Sequence, residues 1–195
     1  MRTFNKTTVY IQTVLFILLL APFIFNSCKQ SGENNKKVVD KKAAAASADS
    51  LSIQTLSKQI RENPKSPELF AKRAGLYATS LNYNQALNDI TIALSLDSTK
   101  PAYFINQSEY YMFTGEPNSA KKALNTCLKK HPANTDAMLK LAEIHLYLKE
   151  YGQSKQILQQ VAGINNDLGQ IYFLQALIAV ENKDTTSSIR SFQLA

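Results

Sequence analysis

The stretch PELFAKRAGLYATSLNYNQALNDITIALSLDSTK, residues 67–100, is followed directly by PAYFINQSEYYMFTGEPNSAKKALNTCLKKHPAN, residues 101–134, and the two align without a gap. Carrying the register on to Thr135 and Gly169 gives four units spaced by 34 residues. Position 4 of the unit holds Phe70, Phe104, Met138 and Tyr172, and position 8 holds Ala74, Ser108, Ala142 and Ala176. Position 11 holds Tyr77, Tyr111, His145 and Ala179, and position 20 holds Ala86, Ala120, Ser154 and Ser188. Position 24 gives Ile90, Leu124, Leu158 and Phe192, and position 27 gives Ala93, Cys127, Val161 and Ala195. Large and small columns alternate, and self-similarity at a fixed period marks a repeat architecture.

The columns have a packing logic. Two antiparallel helices approach closely only where side chains are small, and each small residue must face a large one that fills the gap. Breakers fall between the two halves of each unit: Asn82, Gly115-Glu116-Pro117, Glu150-Tyr151-Gly152 and Asn182-Lys183-Asp184. Pro101 and Pro117 suit the first turn of a helix, where the missing N–H has no partner to lose.

This pattern resembles the tetratricopeptide repeat, in which position 4 is Trp or another large residue, 8 is Gly or Ala, 11 is Tyr, 20 is Ala, 24 is Phe and 32 is Pro. Position 32 here is Ser98, Pro132 and Asn166, and position 7, usually Leu in the family, is Arg73, Gln107, Leu141 and Gln175. The resemblance implies an all-α fold: a solenoid of antiparallel helix pairs in a right-handed superhelix, following a signal or anchor segment. The units are 67–100, 101–134, 135–168 and an incomplete 169–195. Residues 51–66 are expected to hold a capping helix of an incomplete preceding repeat, with Ser52, Leu56 and Ile60 in phase with Ala86, Ile90 and Leu94. The fourth unit stops in mid-helix with no polar cap, so the chain is read as a fragment or as completed by a partner.

In this family the inner surface of the superhelix comes largely from the first helix, helix A, of each unit. The residues that the resemblance places there as a peptide-binding groove are Ile105, Glu109, Met112 and Phe113, then Leu139, Glu143 and Tyr147, then Phe173. Such a groove is apolar with an acidic trace and accepts a protein or peptide through apolar anchors. Chaperone-binding members clamp a terminal carboxylate with Lys and Asn at positions 5 and 9. Here those positions hold Ala71 and Gly75, then Ile105 and Glu109, so that ligand is not implied.

Working outward to the amino end, Val9 to Phe25 is an apolar run interrupted only by Gln12 and Thr13, preceded by Arg2 and Lys6. As a helix it spans about 25 Å, short of a ~30 Å hydrocarbon core, and reads as a signal-peptide core. It ends in Phe25-Asn26-Ser27-Cys28, which resembles the lipobox of bacterial lipoproteins, in the loose form found among those of the Bacteroidetes. The resemblance implies a signal peptide at 1–27, lipidation at Cys28, and attachment to the outer membrane facing the periplasm. The alternative is an incidental cysteine after an uncleaved membrane anchor. Residues 28–50 are polar or small and read as a flexible tether.

The formal charge of +7 invites a nucleic-acid reading. From Leu51 onward, however, 15 Lys and Arg stand against 12 Asp and Glu, so most of the excess sits in the address and tether and no nucleic-acid partner is expected. His145 falls in a packing column and His131 precedes Pro132 at an inter-repeat turn, where solvation is expected. Cys127 falls in a small column, where a free cysteine behaves as a small hydrophobe. No glycine-rich phosphate loop, metal-ligand spacing or nucleophile–base pairing is present, so no catalytic residue, metal, cofactor or small-molecule substrate is expected. An enzyme reading would need groups beyond Ala195. If Cys28 carries the anchor, labelled palmitate incorporates into the full chain and is lost in Cys28→Ala; label that persists in the variant refutes lipidation there.

Overall fold

The computed structural model describes residues 51–165 and 169–195, which are helical apart from short connections. Helix α1 covers residues 51–62. Four pairs follow: α2 (Pro67–Thr79) with α3 (Tyr83–Leu96), α4 (Pro101–Phe113) with α5 (Pro117–Lys130), α6 (Thr135–Tyr147) with α7 (Tyr151–Ile164), and α8 (Gly169–Glu181) with α9 (Thr185–Leu194). The helix starts recur every 34 residues. The signal, lipidation and tether readings at 1–50 lie outside the described residues. Among the described residues no helix is long and apolar enough to cross a membrane.

The small columns form the seam between the two helices of a pair. Ala74, Ser108, Ala142 and Ala176 are buried, as are Ala86, Ala120, Ser154 and Ser188 on the partner helices. Where serine replaces alanine in this seam its hydroxyl needs a partner, and Ser154 Oγ donates to the Ala142 carbonyl at 2.9 Å. Ile90, Leu124 and Leu158 fill the space beside the seam and are fully buried, each worth about 1.5–3 kcal/mol over an exposed side chain. Cys127 is buried in its column, its thiol 3.9 Å from the Pro101 carbonyl, and burial pushes its pKa up.

The core is divided into linked parcels. The first joins Ile60 of α1, Phe70 and Ala74 of α2, Ile90 of α3 and Tyr103 and Tyr110 of α4; the next two repeat this arrangement down the array. Each second helix, helix B, therefore meets the following unit through that unit's helix A, while α4 touches α6 and α6 touches α8 directly. In the last pair the pattern opens, because Ile189, Phe192 and Leu194 of α9 are exposed.

The turns inside the pairs do not sit quite where the breakers suggest. Pro117, Tyr151 and Gly152 already belong to the following helices, and the left-handed residue is Leu81, Gly115, Lys149 and Lys183 in turn, with φ of 60°, 78°, 61° and 60°. Each is followed by a residue whose N–H reaches back five positions. Asn82 donates to Tyr77, Glu116 to Tyr111, Glu150 to His145 and Asp184 to Ala179, at 2.8–2.9 Å. Inside that bond, Leu81, Gly115, Lys149 and Lys183 donate to Ala78, Met112, Leu146 and Val180. This is the Schellman arrangement, and it satisfies carbonyls that a helix end would leave without partners. The same residue then starts helix B, since the N–H groups of Ala86, Ala120, Ser154 and Ser188 bond to the carbonyls of Asn82, Glu116, Glu150 and Asp184.

A buried ion pair ties the amino end together. Arg73 meets Asp89 with two hydrogen bonds, Nε to Oδ2 at 2.6 Å and Nη2 to Oδ1 at 2.7 Å, and its Nη1 donates to Ser57 Oγ of α1 at 2.9 Å. Asp89 is only 4% exposed. The departure from leucine at position 7 thus couples α1, α2 and α3 through one side chain.

Two predictions follow from these features. Glycine escapes the Cβ clash of the left-handed conformation at some cost in chain entropy, so Leu81→Gly and Lys149→Gly should each stabilise by about 0.5 kcal/mol in urea denaturation; destabilisation would contradict the assigned backbone. Arg73→Leu strands the buried carboxylate and should cost about 3 kcal/mol, most of it recovered in Arg73→Leu/Asp89→Leu; a double variant no better than the single one would show that the pair is not what the site depends on.

Candidate functional site: the face of the A helices

The first helix of each pair buries one stripe against its partner, leaving another stripe to project from the array. On α4 that stripe holds Ile105, Glu109, Met112 and Phe113, and on α6 the equivalent positions are Leu139, Glu143, Leu146 and Tyr147. Spacings of four and eight residues put the members of each set on one side of a helix. Because the repeat is constant and α4 lies against α6, the two stripes run side by side.

The structure brings most of these residues together around two clefts. The first, about 420 Å³, is lined by Glu109, Met112 and Phe113 of α4 and by Lys140, Glu143, Ile144 and Tyr147 of α6, with Ser108 at its base. The second, about 340 Å³, is lined by Ile105 and its neighbours Ala102 and Asn106, by Asp136, Leu139 and Lys140, and by Gln170 of α8. Lys140 borders both, so the two clefts adjoin along α4, α6 and the start of α8, and together they are the groove considered below. Leu139 is 3% exposed, so it forms floor and offers little contact area of its own. Phe173 lines neither cleft; it is 46% exposed and meets Phe192 of α9 edge-on at 6.1 Å.

The two large rings at the groove are open to solvent: Phe113 is 66% and Tyr147 68% exposed. Phe113 is held in place from behind, its ring stacked on Tyr83 of α3 at 4.4 Å and 9°. One flat face is therefore spent on structure and the remainder of the ring is presented outward.

Lys140 is the groove residue that sequence reading missed. Its Nζ lies 3.2 Å from Glu109 Oε1 and 3.3 Å from Glu143 Oε2. Partial burial works against the ammonium, but Glu143 and Glu109 outweigh it and hold the Lys140 pKa above its ordinary value. Gln170 Nε2 donates to the other Glu143 oxygen at 2.5 Å. Position 6 is not a groove position in the family pattern; a lysine one residue after Leu139 and three before Glu143 was the available signal.

The histidines stand apart from this groove. His145 Nδ1 is 2.5 Å from Glu150 Oε2, and Lys121 Nζ lies 3.0 Å from the same oxygen. Lys121, then His145, hold the Glu150 carboxyl below its ordinary pKa. The expectation of a solvated His131 is corrected in part: the residue is half-buried, and its Nε2 is buried with no hydrogen-bond partner among the described residues. Among the described residues no group of three or more His, Cys, Asp and Glu side chains is placed to hold a metal ion. Cys28 lies outside the described residues.

The fold has close relatives in shape. Residues 114–178 match the tetratricopeptide repeat family. No curated protein matches the sequence. Among solved structures, a tetratricopeptide repeat protein from Parabacteroides merdae is similar with TM-score 0.69 at 18% identity, over 83% of this chain and 65% of that one. PilF of Pseudomonas aeruginosa is similar with TM-score 0.66 at 15% identity, over 80% and 71%. YrrB, described as a tetratricopeptide protein with an unusual peptide-binding site, is similar with TM-score 0.58 at 19% identity, over 71% and 72%. Solenoids of this kind present an extended concave surface. With the repeat match lying inside an array of helix pairs spaced by 34 residues, the described residues fold as a tetratricopeptide-repeat solenoid.

Proposed function

We propose that this protein is a lipid-anchored, non-enzymatic adaptor that binds a protein or peptide segment on the face of its A helices and holds it at the bacterial cell envelope. The observation that carries the binding half is the pair of open rings, Phe113 and Tyr147, on one cleft with Met112 and Ile144 beside them. Large rings left exposed side by side on a rigid surface cost solvation, and a partner that covers them recovers it. Glu109 and Glu143 give the same surface polar points of attachment, while Ile105 and Leu139 line the adjoining cleft.

The anchoring half rests on the sequence: Arg2 and Lys6, the apolar run Val9 to Phe25, and Cys28. Acyl chains on Cys28 would hold the array stably at a bilayer, and the lysine-bearing segment after it would act as a spacer. The location that fits is the periplasmic side of the outer membrane, in a process such as secretion, surface assembly or motility; this part rests on analogy with proteins of similar architecture. An uncleaved anchor over the same apolar run leaves the adaptor role intact and changes only the attachment.

The binding reading predicts that affinity capture from solubilised membranes with the full chain loses its bound proteins in Tyr147→Ala and in Phe113→Ala/Tyr147→Ala while the chain stays folded, the thermal midpoint falling only by what the lost Phe113–Tyr83 stacking costs, about 1 kcal/mol. Capture undiminished in that variant would remove the groove from the account.

A further inference from the structure

Resting on the reading of this groove as a peptide site, we propose that its ligand is a basic and apolar segment: a Lys or Arg side chain held by Glu109 and Glu143, next to a large apolar side chain seated among Met112, Phe113, Ile144 and Tyr147. The charges that line the two clefts are Glu109, Asp136 and Glu143 against Lys140 alone. That excess is local, since the chain from Leu51 onward carries more basic than acidic residues, and α5 presents Lys121, Lys122, Lys129 and Lys130 with no carboxylate of its own. An acidic segment entering the groove would face three carboxylates, and a neutral one would gain only apolar contact.

The internal lysine does not use up the carboxylates. Lys140 engages one oxygen of Glu109 and one of Glu143, Gln170 takes the second oxygen of Glu143, and the second oxygen of Glu109 is open to a ligand. These side chains are one third to two fifths exposed, at 40% for Glu109 and 33% for Glu143, so an incoming cation reaches them without unfolding the site. Beside them stands Phe113, locked by Tyr83 with the rest of its ring outward. A fixed ring next to carboxylates suits a basic side chain, whose methylenes lie on the ring while its head meets the charge. The geometry also gives Lys140 a role: it is the internal cation with which the ligand's cation competes, and it keeps the two carboxylates together when the groove is free.

The test uses the 195-residue chain and three synthetic fluorescent peptides with one shared pattern of Phe and Leu, whose remaining positions are all Lys, all Gln or all Glu. Anisotropy titrations at low and high salt should rank them Lys, then Gln, then Glu, with the Lys peptide weakening as salt rises. Glu109→Gln/Glu143→Gln should weaken the Lys peptide about fivefold or more and leave the Gln peptide unchanged, and Lys140→Met should strengthen the Lys peptide. Equal binding of the Lys and Gln peptides, or a Lys peptide indifferent to all of these changes, overturns the charge assignment; if Phe113→Ala still weakens binding, the groove itself survives. Failure of every peptide to bind, or binding indifferent to both Phe113→Ala and Tyr147→Ala, overturns the assignment together with the groove. Self-association of the free chain that disappears in Glu109→Gln/Glu143→Gln assigns the groove to a second copy and overturns it too.

Discussion

The structure depends on how closely two helices approach at positions 8 and 20 of the repeat. At Ala142 and Ser154 the approach is close enough for a side-chain hydroxyl to reach the facing backbone carbonyl. Nothing much larger fits such a seam without moving a helix, and a core packed to native density does not give way cheaply. Once the seam fixes how A meets B, the direction of every other side chain on helix A follows. On α4 and α6 position 13 turns outward, with position 9 partly exposed beside it, and the repeat sets them beside their counterparts on the next A helix. The groove is thus a consequence of small residues on the far side of the same helices.

The turn within each pair reinforces this. Four left-handed residues at constant spacing are each closed over by the same bond reaching five residues back, and the residue that ends one helix begins the next. A rigid elbow leaves little freedom in the angle between A and B, so the orientation set in one pair is passed to its neighbour. At the amino end, where one flank of the first pair meets only α1, Arg73 and Asp89 supply a polar tie through Ser57. At the other end α9 keeps its apolar side chains in view, and Phe192, which follows the column of Ile90, Leu124 and Leu158, is exposed where they are buried.

The all-α solenoid could be read from the chain because packing columns are a property of spacing: Ala86, Ala120 and Ser154 announce the same seam three times. What could not be read are features made by groups far apart in sequence or by backbone alone. Leu81, Lys149 and Lys183 adopt a conformation usually given to glycine, and only Gly115 signals it in its residue type. Arg73 looks like a mismatch in a leucine column until Asp89, sixteen positions on, is placed against it. Lys140 is silent for a similar reason, since Glu109 lies one repeat away. For the groove, the stripes on α4 and α6 could be listed in advance, but not the burial of Leu139, the departure of Phe173 toward α9, or the stacking of Phe113 on Tyr83.

The A helices present a rigid surface whose cleft is apolar, aromatic and negatively charged, while α5 carries only basic charge. Methyl-resolved NMR of the intact chain during titration with the lysine-bearing peptide tests this most directly. The account predicts that the methyls of Ile105, Met112 and Ile144 shift while those of Leu124 and Leu158, buried under the seam, stay in place. Shifts confined to Ile189 and Leu194 on α9, with the α4 and α6 methyls unmoved, would contradict it.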